Sequence, residues 1–193
     1  MSATVRYLTH TNVLIVPDRP AGEWGLNPQG QQRAHAIGQA NWITTTNHIF
    51  SSGERKAIET ATPIAATLGI GFDIRDQTHE NDRSSTGYLP PDEFEETADR
   101  FFADPNQSVR GWETATHAQT RIVRETEALL GDCPAGDVLI IGHGAVGTLL
   151  LCHLAGFPIE RKHDQPPNNG GNYFSFCRDS RRLLHLWKPA AAY

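Results

Sequence analysis

Cysteine is scarce. Only Cys133, Cys152 and Cys177 occur, no two of them stand in a C-x-x-C spacing, and an odd count cannot pair off. A disulfide framework and a cysteine-based zinc site are both excluded as organising devices, which points to reduced thiols in a cytoplasmic protein. The opening MSATVRYLTH lacks the apolar stretch of a secretory signal. Basic residues are not in excess: 17 Lys and Arg stand against 22 Asp and Glu, for a net charge of −5. That argues against nucleic acid or an anionic membrane as the main partner, while leaving room for a local basic pocket around a small anion. Internal repeats and low-complexity tracts are lacking too. His35, His48, His117, His163 and His185 show no ligand-type spacing, so neither a metal nor a cofactor is expected.

One long uncharged run is present, Val138 to Phe157. Its length raises a membrane span, but its four glycines and two histidines favour a buried strand, a turn and a buried helix. Within it Gly142, Gly144 and Gly147 spell G-x-G-x-x-G, with His143 in the middle. A dinucleotide site needs a βαβ unit and an acidic residue closing the next strand. Glu160 stands at a suitable distance, yet Phe157-Pro158-Ile159 is too short and broken for that strand. The dinucleotide reading of Gly142–Gly147 is kept as the weaker alternative.

Strand patterns occur at Val5–Leu8, ending on Thr9-His10, at His48–Phe50, at Phe72–Ile74 and at Val138–Ile141. Tyr173–Cys177 and Leu183–Trp187 alternate as a hairpin. Asn27-Pro28 reads as an N-cap with proline in the first turn, opening a helix to about Ile43. Further helices are expected at Glu54–Leu68, with a kink at Pro63 and a stop at Gly69, at Asp92–Phe102, at Thr114–Leu130 and at Val146–Ala155. His153 there reads as a core histidine. The turn-rich stretch at about 81–112 reads as a lid-like insertion in a single domain spanning 1–193. Strands alternating with helices predict an α/β three-layer sandwich, a mostly parallel sheet with helices on both faces. Ligands of such sheets bind beyond the carboxyl ends of the strands. Three strands end on informative residues: His10, then Ser51-Ser52 just before Arg55, and His143.

These residue types suit phosphoryl transfer. A neutral imidazole attacks phosphorus, donors surround the non-bridging oxygens, and a carboxylic acid protonates the leaving oxygen. His10 serves as nucleophile, Arg55 as the planar grip, and His143 and the Gly144 N–H at a helix start as further donors. Glu80 is the acid, with Asp82 two residues on as its alternative. Trp24, in the loop after His10, is placed to touch ligand.

The pieces Y-L-T-H-T at 7–11, W-G-L-N-P-Q-G at 24–30, S-S-G-E-R-K-A-I-E-T-A at 51–61, H-E-N-D at 79–82 and I-I-G-H-G at 140–144 resemble, in order, the histidine phosphatase superfamily with its phosphoglycerate mutase-like fold. The resemblance implies a metal-independent phosphomonoester hydrolase working through a phosphohistidine on a small phosphorylated substrate. His10 would be the phospho-accepting residue, Arg55 and His143 would bind phosphate, and Glu80 would donate the proton. The chain is short for the family's mutases, which favours hydrolysis. It departs from the family at Thr9-His10-Thr11, where the family has Arg-His-Gly. Loss of one charged donor costs about 3 kcal/mol of transition-state stabilisation, on the order of a hundredfold in rate. Thr9 and Thr11 remain as uncharged phosphate-side groups, with Arg6, Arg19 and Arg83 as substitutes for the missing charge. The competing reading is a non-catalytic binder of a phosphorylated ligand or partner. The loop Asp164–Asn169 is expected to rim the pocket or a homodimer contact.

Overall fold

The structure is a computed structural model that describes residues 2–191. Strands β1 (Thr4–Thr9), β2 (Thr46–Ser51), β3 (Asp73–Ile74), β4 (Asp137–Gly142), β5 (Asn172–Cys177) and β6 (Leu183–Pro189) form one sheet in the order β3-β2-β4-β1-β5-β6. The first four run parallel to their neighbours, and β5 and β6 add an antiparallel hairpin at the β1 edge. The helices are α1 (Pro28–Gly38), α2 (Arg55–Leu68), α3 (Pro91–Ala103), α4 (Ala115–Asp132) and α5 (Gly144–Ala155). The expected α/β architecture is therefore present, with the parallel core and the terminal hairpin where the patterns put them.

The alternation of β4 explains the layers. Val138 and Ile140 turn to one face, where α4 and α5 bring Ile122, Leu129 and Leu149. Leu139 and Ile141 turn to the other, where α1 and α2 bring Ile37, Ala57 and Ile64. All four β4 side chains are fully buried. A central strand covered on both sides needs an unbroken apolar run, and each such side chain contributes about 1.5–3 kcal/mol relative to exposure.

Several boundaries differ from expectation. Helix α1 stops at Gly38 instead of about Ile43. The chain turns at Gln39-Ala40, and a short 3-10 turn at Asn41–Ile43 sets the Trp42 ring 4.0 Å from that of Tyr173. Helix α4 continues through Gly131 to Asp132. The stop is Pro134, which holds Cys133 extended. His153, expected in the core, is exposed in the last turn of α5. Among the described residues no helix is long and apolar enough to cross a membrane.

Candidate active site

The parallel register brings the three informative strand ends together. Thr9 pairs with Gly142, and Ser51 with Ile141. One further hydrogen bond extends each ladder: the His10 N–H donates to the Gly142 carbonyl at 2.9 Å, and the Ser52 N–H to that of Ile141 at 2.9 Å. His10 and His143 consequently meet edge to face, ring centroids 5.3 Å apart. His10 is half-buried and lines a cavity of about 560 Å³. Its Nδ1 lies 2.9 Å from the Thr11 carbonyl oxygen, which only a protonated Nδ1 can satisfy. Nε2 is thereby left with its lone pair. Burial, then the neighbouring Lys56 charge, push the imidazole down to about 4, so it is neutral over the ordinary pH range.

His143 lies behind His10, fully buried and outside the cavity lining. Its backbone is held on both sides by Tyr7: the N–H donates to the phenol oxygen at 3.0 Å, and the phenol donates to the carbonyl at 3.2 Å. Its Nε2 lies 2.8 Å from Ser52 Oγ, which accepts the Glu54 N–H at 3.3 Å. The same Nε2 lies 3.4 Å from Glu54 Oε1, so it faces a hydroxyl that can donate or accept and a carboxylate oxygen that only accepts. His143 Nδ1 and Asn81 Nδ2 are buried with no hydrogen-bond partner among the described residues. A buried polar atom left without a partner costs about 1–3 kcal/mol, and of these two residues only Asn81 lines the cavity. Burial also lowers the His143 imidazole well below its ordinary value.

Tyr7 also explains the glycine spelling at 142–147. A Cβ at Gly142 would run into the phenol oxygen, and one at Gly147 would lie 2.5 Å from Tyr7 Cε1. The glycines admit an aromatic ring, not a pyrophosphate. The chain after α5 enters a loop and then an antiparallel strand, so the βαβ unit required by the dinucleotide reading is missing and that reading is corrected.

The charges at the cavity differ from the sequence expectation at one position above all. Arg55 points into solvent, its side chain 59% exposed and its Nε 2.6 Å from Glu59 Oε1. Lys56, 3% exposed, faces the cavity instead, its ammonium donating to the Ala21 carbonyl at 2.8 Å and paired with Glu54. Helical periodicity decides this, since Lys56, Thr60 and Ile64 share the buried stripe of α2 and Arg55 falls off it. That stripe was the available signal for Lys56. Burial alone would raise the Glu54 carboxyl, but the His143 imidazole whenever it is charged, and at all times the Lys56 ammonium and the Glu80 N–H, overturn this and hold it well below the usual carboxylate range.

Glu80 sits in the cavity wall with its carboxylate over the start of α5. The Ala145 N–H donates to its Oε2 at 3.2 Å and the Val146 N–H to its Oε1 at 3.0 Å. The Gly144 N–H, also in the wall, is the first-turn donor that Glu80 does not take. Asp82 lies outside this wall and accepts the Ser84 N–H at 2.9 Å.

Thr9 and Thr11 are fully buried and do not line the cavity. The Thr11 hydroxyl donates to the Gly30 carbonyl at 2.8 Å. The Thr9 hydroxyl donates to Gln165 Oε1 at 2.8 Å, an oxygen that also accepts Asn172 Nδ2 at 2.9 Å. With its oxygen pinned twice, Gln165 turns its NH₂ toward the cavity wall, where a Cβ on Gly144 would lie 2.5 Å from Nε2. No pattern in the sequence announces Gln165. Of the three substitute cations, Arg6 is engaged with Asp137 at 3.0 Å. Arg19 lines a neighbouring cavity. Arg83 lines this one, its guanidinium 5.0 Å from the centre of the Phe94 ring. Among the described residues no cluster of His, Cys, Asp or Glu is gathered as a metal site requires.

The sequence matches the model of the histidine phosphatase superfamily (branch 1) over residues 19–188. No curated protein matches it. Solved structures with the same fold include a mycobacterial glucosyl-3-phosphoglycerate phosphatase in complex with inorganic phosphate, at a TM-score of 0.80 and 16% identity over 100% of both chains. The protein YhfR of Bacillus stearothermophilus superposes at 0.79 and 17% identity, over 100% of this chain and 98% of that one. A phosphoserine phosphatase mutant of Entamoeba histolytica in complex with phosphoserine superposes at 0.77 and 15% identity, over 95% and 96%.

Proposed function

The chain belongs to the histidine phosphatase superfamily, branch 1, and from that premise we propose that it is a phosphomonoester hydrolase with His10 as its nucleophile. The observation that carries the reading is the state of His10: Nδ1–H tied to the Thr11 carbonyl, Nε2 unprotonated, and Lys56, Glu80 and the Gly144 N–H around the same cavity. In the first step Nε2 forms a bond to phosphorus as the phosphorus–oxygen ester bond breaks, and the leaving oxygen takes the proton carried by Glu80. In the second step water attacks phosphorus, returns a proton to Glu80, and frees Nε2. The Thr11 carbonyl stabilises the positive ring formed in between.

The charge on the phosphoryl oxygens falls to Lys56, Arg83, the Gly144 N–H and the Gln165 amide, with His143 packed behind the His10 ring. Gln165 supplies a neutral donor beside Thr9, where the family motif has its arginine. Lys56 is partly offset by Glu54, so this site holds less positive charge than the motif implies. That observation favours a second reading, a binder of phosphorylated ligands without turnover. Steady-state hydrolysis of an aryl phosphate separates the two. The expected result is saturable turnover that His10→Ala lowers by at least about a thousandfold. Turnover unaffected by His10→Ala, or phosphate binding without turnover, rejects the hydrolase reading.

A further inference from the structure

The cavity is larger than a phosphoryl group needs, and its lining combines two chemistries. His10, Lys56, Glu80 and Gly144 supply the polar groups. The wall formed by α3 and the loop after it supplies Phe94, Ala98 and Trp112, with Ile15 from the loop after β1 in the same lining. Phe94 is a prepared platform: its ring packs 5.9 Å from that of Trp112 and carries the Arg83 guanidinium over it at 5.0 Å. The other cation in the lining, Arg161, is occupied by Glu95 at 2.6 Å, Asp99 at 3.0 Å and Asp164 at 3.4 Å. A hydroxyl-rich leaving group would find few unoccupied partners along the α3 wall, and burying it there unpaired is unfavourable. A flat apolar group gains both area and aromatic contact.

We infer that this wall is a leaving-group subsite, and that the substrates are phosphate monoesters of alcohols bearing a ring-sized apolar group. The chemical step rests on the hydrolase reading; the binding preference does not. The test compares 3-phenylpropyl phosphate with propyl phosphate, whose leaving alcohols are alike in acidity, and compares the two corresponding phosphonates as ligands by calorimetry. Burying one phenyl ring predicts a preference of about 30-fold in kcat/KM and in affinity. Phe94→Ala and Ile15→Ser should each shrink that ratio. Ile15 is 55% exposed, so its variant keeps the core intact. Equal handling of the phenylpropyl and propyl compounds, or a ratio that both variants leave unchanged, overturns the subsite. A phosphonate preference without turnover sustains the subsite and overturns the hydrolase reading. Turnover without preference does the reverse, and neither binding nor turnover overturns both.

Discussion

Lys56 and Arg55 differ less in charge than in where α2 points them. One residue's rotation about the helix axis, about 100°, puts Lys56 on the buried stripe beside His10 and sends Arg55 outward to an exposed pairing with Glu59. An exposed pair of that kind contributes little, about 0–1 kcal/mol. A buried cation aimed at a reacting anion contributes much more, and its removal also strands the buried Glu54 carboxylate. Lys56→Met is therefore expected to lower kcat/KM for an aryl phosphate by about a hundredfold or more, while Arg55→Ala stays within about threefold. Comparable losses in the two variants would put the grip back at position 55. That His10 and His143 meet was legible in the sequence because each stands at the end of a recognisable strand, whereas Glu80 stands in an irregular segment and was reached through the piece H-E-N-D. Thr9 and Thr11 were misleading. Their hydroxyls look available in a motif written as letters, but both side chains face inward and are spent on Gln165 and Gly30. That arrangement depends on a loop more than 150 residues away in sequence, as the Thr9–Gln165 separation of 156 shows, and no local pattern encodes it.

The start of α5 is the element on which the site turns. Its approach to β1 is set by the Tyr7 ring, which fills the space left by Gly142 and Gly147 and holds the His143 backbone from both sides. Gly147→Ala places a Cβ 2.5 Å from Tyr7 Cε1 and 3.0 Å from Trp187 Cη2. Overpacking of this kind is expected to destabilise by about 1–3 kcal/mol. In a Tyr7→Leu background the same substitution should cost less, with a coupling above about 0.5 kcal/mol in a denaturant double-mutant cycle. Additive effects would mean that the glycines serve something other than the ring. The sequence showed the strand, the turn and the helix here, since apolar run and glycines are both local signals. It left the purpose of the glycines open, because the partner ring lies on another strand. The overlong estimate for α1 has a similar cause: the chain leaves the helix to stack Trp42 on Tyr173, a contact between distant segments.

At the scale of the whole molecule, folding buries two imidazoles in neutral form at the centre of the sheet's carboxyl edge. Histidines of the unfolded chain titrate near 6.5, whereas His10 titrates at about 4 and His143 is also lowered. Between these values the unfolded state binds more protons than the folded state, so stability is fully present above pH 6.5 and is lost as the pH falls toward 4. Glu54, held low, adds a further loss at more acidic pH. Urea midpoints are expected to be level from pH 7.5 to 6.5 and to decline steadily from 6.5 to 4.5; a level profile down to 4.5 would show that the imidazoles are not held neutral by folding. The architecture itself was readable, because parallel strands covered on both faces need continuous apolar runs, and hairpins need alternation. The cavity was not, because its walls come from α3, the loop after β1 and the loop before β5. The central claim is that phosphorus becomes bonded to one particular nitrogen. The direct measurement is rapid quenching of the enzyme with an aryl phosphate into alkali, followed by ³¹P NMR and peptide mapping. The account predicts an acid-labile, alkali-stable phosphoryl group on Nε2 of His10 that disappears in His10→Ala. Turnover with no phosphoenzyme, or a phosphoryl group on any other residue, would contradict it.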